Sequence, residues 1–154
     1  MKIILASDHR GVSVRDTILE YLQTQSEHTV VLIDEQTAGS TDYPDIAAMA
    51  AQAISLGTAD YGILICGTGI GTCIVANKFP GVRAAPCHNE VVAELSRKHN
   101  DSNVLCLSGD LLGERSSVAV VEAWLTAQFE GGRHSARLEK IHRLEVANKH
   151  ACVA

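Results

Sequence analysis

Aromatic residues are scarce in this chain, at 4% of positions, so the aliphatic residues Ala, Val, Ile and Leu must fill the interior. That balance suits buried parallel strands covered by helices. An excess of positive charge is also missing. The formal net charge is -5, which argues against nucleic acid or an anionic membrane as a main partner. No pair of cysteines has CxxC spacing, and the total of five is odd. This argues against a disulfide framework and for a reducing, cytosolic setting. No apolar run reaches membrane length, and the opening run is broken by Asp8, too early for a signal peptide.

What is present reads as globular: 46% hydrophobic and 20% charged residues over 154 positions. That length is enough for one domain, taken here as residues 1–154, with a real core. Apolar runs predict strands at Lys2–Ser7, Val30–Ile33, Ile63–Ile65, Val82–Ala85 and Val104–Leu107. Helical spacing appears at Val14, Ile18, Tyr21 and Leu22, then at Ile46, Met49, Ala50, Ala53 and Ile54, closed by Gly57. A further helix runs from the glycine-rich segment toward Lys78. Val91, Val92 and Leu95 mark a helix ending near His99, and Val118, Val121, Trp124 and Leu125 mark the next. Gly131 and Gly132 break that one, and Leu138, Ile141 and Leu144 mark a last helix, with fraying expected after Lys149. A β-α unit repeated five times implies α/β architecture. The expectation is a three-layer α-β-α, Rossmann-like fold with a five-stranded parallel sheet and an extra C-terminal helix. Ligands bind such sheets at the carboxyl ends of the strands, which selects Asp8 and His9, Cys66, and Ser108 to Asp110.

The most informative segment runs from Tyr61 to Gly71. A buried strand ends on Cys66, and glycines follow at 67, 69 and 71. Glycine lets backbone N–H groups approach a ligand closely, and a strand leading through such a loop into a helix makes an anion cradle. The same positive helix end favours negative charge on a cysteine sulfur. Cys73, Cys87, Cys106 and Cys152 have no such cradle, and a free cysteine is often only a small apolar residue. Thr72 stands where a dinucleotide fingerprint needs its third glycine, and no Lys-Ser or Lys-Thr follows as in a phosphate loop.

Other groups have two readings on local features. Asp8 and His9 could move protons, or Asp8 could cap a helix. His99, Asn100 and Asp101 suit a helix end as well as a site. Arg133 and Arg137 share a helix face and could grip a phosphate, or form a solvated basic face. His28, His88, His142 and His150 lack ligand spacing, so a zinc site is not expected.

Taken together, six segments occur in a familiar order. They are Ser7–Gly11, Thr41–Asp45, Ile65–Gly71, Ala76–Lys78, Arg97–Asp101 and Glu130–His134. The chain resembles ribose-5-phosphate isomerase type B, in the family that also holds the galactose-6-phosphate isomerase subunits, from the first strand to about Ile141. The resemblance implies cytoplasmic aldose–ketose isomerisation of a sugar phosphate in the pentose phosphate pathway, with no metal and no organic cofactor. Cys66 matches the base. Other members use a glutamate one residue past the last loop glycine, and here that residue is Thr72. The amides of Gly67, Thr68, Gly69, Ile70 and Gly71 would stabilise the enediolate, a contribution on the order of 3 kcal/mol in oxyanion holes. His99 matches the ring-opening acid, assisted by Thr68, and Asp8 handles hydroxyl protons. His9, Arg133 and Arg137 match phosphate contacts, and Tyr43 and Asn100 match sugar or loop contacts. The family's site lies between subunits, so a homodimer or dimer of dimers with shared sites is implied, His99 and Asn100 coming from the partner. Asp110 departs from the pattern, standing where an arginine is frequent, with Arg115 five residues on. That leaves galactose 6-phosphate, allose 6-phosphate or a tetrulose phosphate open as substrate, and also a non-catalytic phosphosugar-binding role.

Overall fold

The computed structural model describes residues 1–25, 28–39 and 42–151. Five strands, β1 (Lys2–Ser7), β2 (Thr29–Ile33), β3 (Tyr61–Cys66), β4 (Ala84–Pro86) and β5 (Val104–Ser108), form one parallel sheet in the order β2-β1-β3-β5-β4. The helices are α1 (Val12–Thr24), α2 (Glu35–Ala38), α3 (Tyr43–Ser55), α4 (Ile70–Ala76), α5 (Glu90–Asn100), α6 (Glu114–Thr126) and α7 (Arg133–Ala151).

The alternation of side chains along each strand builds two cores. Ile4, Ala6, Leu64, Val104 and Cys106 face α3 and α4, meeting Ile46, Ala50 and Ala76. Ile3, Leu5, Ile63, Ile65, Leu105 and Leu107 face the other way, meeting Ile18 of α1, Ala93 of α5 and Val120, Val121 and Trp124 of α6. With helices on both faces, strands buried on both sides read as continuous apolar runs. This is the expected three-layer parallel fold, with α7 as the additional C-terminal helix.

The structure corrects several details. β4 starts at Ala84, not Val82. The Val82 N–H bonds to the Phe79 carbonyl in a turn and the Arg83 N–H to the Asn103 side chain, so neither N–H joins the ladder, though the Arg83 carbonyl accepts the Val104 N–H at 3.3 Å. The polar stretch after β2 contains the short α2. The inward face of α5 is Ala93, Ser96 and Arg97, while Val91 and Leu95 face outward at 63% and 41% exposure. Helix α7 continues past Lys149 to Ala151, and residues 152–154 lie outside the described part. Its Ile141 and Leu144 are exposed, as are Ile70 and Ile74 of α4. Among the described residues, no helix is long and apolar enough to cross a membrane.

Candidate active site

The strand order reverses between β1 and β3, so their carboxyl ends open a crevice. Asp8 follows β1, Cys66 ends β3, and Ser108 ends β5 beside it. Cys66 and Asp8 are each 4% exposed. The Gly69 N–H donates to Cys66 Sγ at 3.2 Å. Gly69 can turn back in this way because its φ is +75°, in the left-handed region. A Cβ there would also lie 3.0 Å from the Leu107 backbone. Thr72 Oγ1 is 3.6 Å from the same sulfur and donates to the Gly69 carbonyl at 3.2 Å. Gly71 is required for a different reason: a Cβ would sit 2.6 Å from the Tyr43 ring, which lies over the start of α4. Beyond Ile70, whose N–H is directed at Thr68 Oγ1, the first-turn amides of α4 at Gly71 and Thr72 have no intrahelical acceptor and point toward an anion.

Asp8 is not a helix cap. Gly11 occupies the N-cap position of α1 with no side-chain cap, and the Asp8 carboxylate accepts the Arg10 N–H at 2.9 Å. Ser108 Oγ donates to the Gly67 carbonyl at 2.6 Å and accepts the Leu111 N–H at 2.9 Å, tying the loop after β5 to the glycine loop. Above Gly67, Arg10 pairs with Asp110 through two of its guanidinium nitrogens, Nε to Oδ1 at 3.3 Å and Nη2 to Oδ2. His9 and Thr68 are exposed beside this crevice, and Thr68 Oγ1 accepts the Ile70 N–H at 3.4 Å.

The remaining sequence candidates form a second cluster elsewhere. Register pairs Gly62 with Val104 and Cys66 with Ser108, while His99 and Asn100 end α5 just before β5 begins. They therefore lie at the amino edge of the sheet, about 13 Å or more from Cys66 at strand rise. The His99 and His134 rings stack with centroids 4.3 Å apart and planes 4° apart. Glu130 Oε2 lies 4.0 Å from His99 Nε2 and 3.9 Å from His134 Nε2. The Glu130 N–H bonds to the Lys98 carbonyl at 3.0 Å, which pins the start of α7 to the end of α5. Arg133 Nε donates to His134 Nε2 at 3.5 Å. Burial first, then the charges of His99, Arg133 and Arg137, hold the His134 imidazole below its ordinary range, with Glu130 opposing. Arginines at a helix start oppose the macrodipole, and α7 has no acidic residue in its first turn. That end is strongly attractive to an anion. His99, Glu130 and His134 offer ligand atoms within 4.8 Å of one another. Parallel stacked rings, however, aim their in-plane lone pairs side by side, not at one ion.

Residues 3–141 match the ribose/galactose isomerase family. The chain is 45% identical over 146 residues to ribose-5-phosphate isomerase B of Escherichia coli strain K12, covering 94% of this chain and 96% of that one. The chain belongs to the ribose/galactose isomerase family.

Within the family it is also 39% identical over 150 residues to D-erythrulose-4-phosphate isomerase of Pectobacterium atrosepticum, covering 97% of this chain and 99% of that one. The crystal structure of ribose-5-phosphate isomerase B from Mycoplasma genitalium with bound ribulose 5-phosphate superimposes with a TM-score of 0.87 at 42% identity, covering 94% of this chain and 95% of that one.

One protomer thus brings Asp8, His9, Tyr43, Cys66, Thr68 and the loop glycines to one edge, and His99, Asn100, Arg133 and Arg137 to the other. Sequence reasoning missed three contributors: Arg10 as partner of Asp110, Thr72 against the sulfur, and His134 beneath His99. Only Thr72 carried a signal, being one residue past the glycines. Cys66 shares its burial with other cysteines and differs from them in the Gly69 N–H directed at its sulfur. Cys73, Cys87 and Cys106 are buried free thiols, and burial pushes Cys87 up to about 11.

Proposed function

We propose that this isomerase, a single domain over residues 1–154, interconverts ribose 5-phosphate and ribulose 5-phosphate in the cytoplasm without metal or organic cofactor. The observation that carries the reading is the Gly69 N–H aimed at Cys66 Sγ in the crevice at the carboxyl edge of the sheet. Cys66 as thiolate takes the C2 proton of the open-chain aldose. The electron pair forms the C1–C2 double bond, and the carbonyl oxygen becomes an enediolate oxygen facing the loop amides. Asp8 shifts the hydroxyl proton between O2 and O1. The Cys66 thiol returns its proton to C1, giving the ketose and restoring the thiolate.

Two chains complete each site. The partner's His99 opens the sugar ring with help from Thr68, while Asn100 contacts the sugar. His9 and the partner's Arg133 and Arg137 hold the phosphate. Tyr43 closes the pocket over Gly71. The uncovered apolar residues Ile70, Ile74, Val91, Leu95, Ile141 and Leu144 support association, as homodimer or dimer of dimers.

A second reading changes the sugar only. Asp110 neutralises Arg10 at the rim, so that rim offers a carboxylate to substrate hydroxyls rather than a free cation to phosphate. The relative named D-erythrulose-4-phosphate isomerase supports this reading. Purified protein should be offered ribose, galactose, allose and tetrulose phosphates in deuterated water, with and without chelator. Turnover and deuterium uptake strongest with the pentose pair, and unchanged by chelator, support the proposal. A stronger response with another sugar replaces the substrate. Binding without any uptake indicates a phosphosugar-binding protein instead.

A further inference from the structure

The last turn of α5 ends on Asp101, whose φ of 45° and ψ of 47° are left-handed. Among the described residues it is the one non-glycine with positive φ. Helices commonly close this way, but the position usually belongs to glycine. The closure itself is complete: the Asp101 N–H bonds to the Arg97 carbonyl at 3.0 Å, and the Ser102 N–H to the Ser96 carbonyl at 3.1 Å.

The aspartate adds something that glycine could not. Arg83 Nη2 donates to its Oδ2 at 2.8 Å, and Arg97 Nη1 to its Oδ1 at 2.9 Å, one arginine on each oxygen. Arg83 also gathers the final carbonyls, its Nε lying 3.0 Å from Asn100 O and 2.9 Å from Asp101 O. Arg97 is anchored in turn. It is 8% exposed, donates to Ser102 O at 2.7 Å and to the Tyr61 hydroxyl at 2.7 Å, and lies over the Tyr61 ring at 4.8 Å. Trp124 Nε1 donates to Ser102 Oγ at 2.8 Å, extending the network into the core. Glycine alone would satisfy the backbone, so the two arginines exceed what ending a helix requires. The residues they immobilise come directly before Asp101 in the chain: His99 and Asn100.

We propose that Asp101, gripped between Arg83 and Arg97, is a positioning residue that fixes the His99 ring and Asn100 in the geometry needed to open the sugar ring. The inference rests on the reading of His99 as the ring-opening acid. A helix end frays by default, and a misplaced catalytic group loses rate steeply. The clamp turns a fraying end into a rigid one without touching substrate.

The test uses a chemical asymmetry between the two sugars. Ribulose 5-phosphate cannot close a furanose ring, because its C5 oxygen carries the phosphate. Exchange of its C1 proton with deuterated water reads enediolate formation and needs no ring opening. Turnover of ribose 5-phosphate needs both steps. Asp101→Gly keeps a residue at ease with positive φ while removing the carboxylate. Arg83→Met removes one grip and keeps Asp101, so it carries the test should Asp101→Gly fail to fold. The expected result in either variant is a fall in kcat for ribose 5-phosphate of about tenfold or more, with KM little changed and C1 exchange within about twofold of the parent. Parallel loss of both readouts, or no loss in either, overturns the proposal. His99→Asn serves as the reference. If it shows the split and the clamp variants do not, the clamp idea fails and the His99 reading stands. If His99→Asn itself shows no split, the His99 reading fails and takes the clamp with it.

Discussion

The Gly69 amide nitrogen lies 3.2 Å from the Cys66 sulfur, with its hydrogen directed at it. A backbone donor needs no side-chain entropy to hold it there. It places partial positive charge against the atom that must carry negative charge during proton abstraction. Gly69 is therefore occupied by the base and Ile70 is directed at Thr68 Oγ1, which leaves the amide of Gly71 at the helix start for a substrate oxygen.

Cys66→Ala is expected to leave the fold intact, because the side chain is small and buried. Deuterium uptake into ribulose 5-phosphate should fall by about a thousandfold, within the range for loss of a general base. Exchange at the parental rate would remove Cys66 from the mechanism.

Gly69→Ala should cost about 2 kcal/mol of stability, because left-handed backbone strains an L residue. The new Cβ would also press on the Leu107 backbone at 3.0 Å. The measurement is the urea midpoint, and activity should fall further than stability accounts for, since the donor to the sulfur shifts.

Mixing Cys66→Ala with His99→Asn tests the shared site. Each variant alone should be nearly inactive. After subunit exchange, random pairing gives one intact site in each mixed dimer and about a quarter of parental activity. Absence of any recovery would mean that no site draws Cys66 from one chain and His99 from the other.

Asp110→Asn should change thermal stability by less than about 1 kcal/mol, because the Arg10–Asp110 pair is exposed. Its effect should appear in KM across a sugar-phosphate panel, where the freed Arg10 charge favours phosphate. An unchanged profile would rule out Asp110 as a specificity determinant.

His134 is expected to make the protein less stable in acid. Its folded-state affinity for a proton is below that of the unfolded chain, mainly through burial. As pH falls through about 6.5, the unfolded chain takes up a proton first, so stability drops until the lowered folded value is passed. Urea midpoints at about pH 7.5 and about pH 5.5 should therefore differ, and His134→Gln should flatten the difference.

Much of this was legible in the sequence because buried parallel strands are plain apolar runs. β1, β3 and β5 appear where Ile and Leu cluster, and the crevice follows from their carboxyl ends. β4 was placed two residues early because Val82 and Arg83 look like strand but bond into a turn and to Asn103. Helix α5 was marked by its apolar residues, but Val91 and Leu95 are exposed and its buried Arg97, satisfied by Asp101, Ser102 and Tyr61, has no apolar signal. Pairings such as Arg10 with Asp110 join residues 100 positions apart, and no local pattern signals them. Nor does sequence spacing say that Cys66 and His99 sit on different edges; the strand register does.

That register has a consequence for anyone assaying the protein. The sulfur lies at the carboxyl rim of the sheet and the imidazole at the amino rim of the same copy. If a site draws one group from each of two copies, as proposed above, specific activity should climb with protein concentration before it levels off.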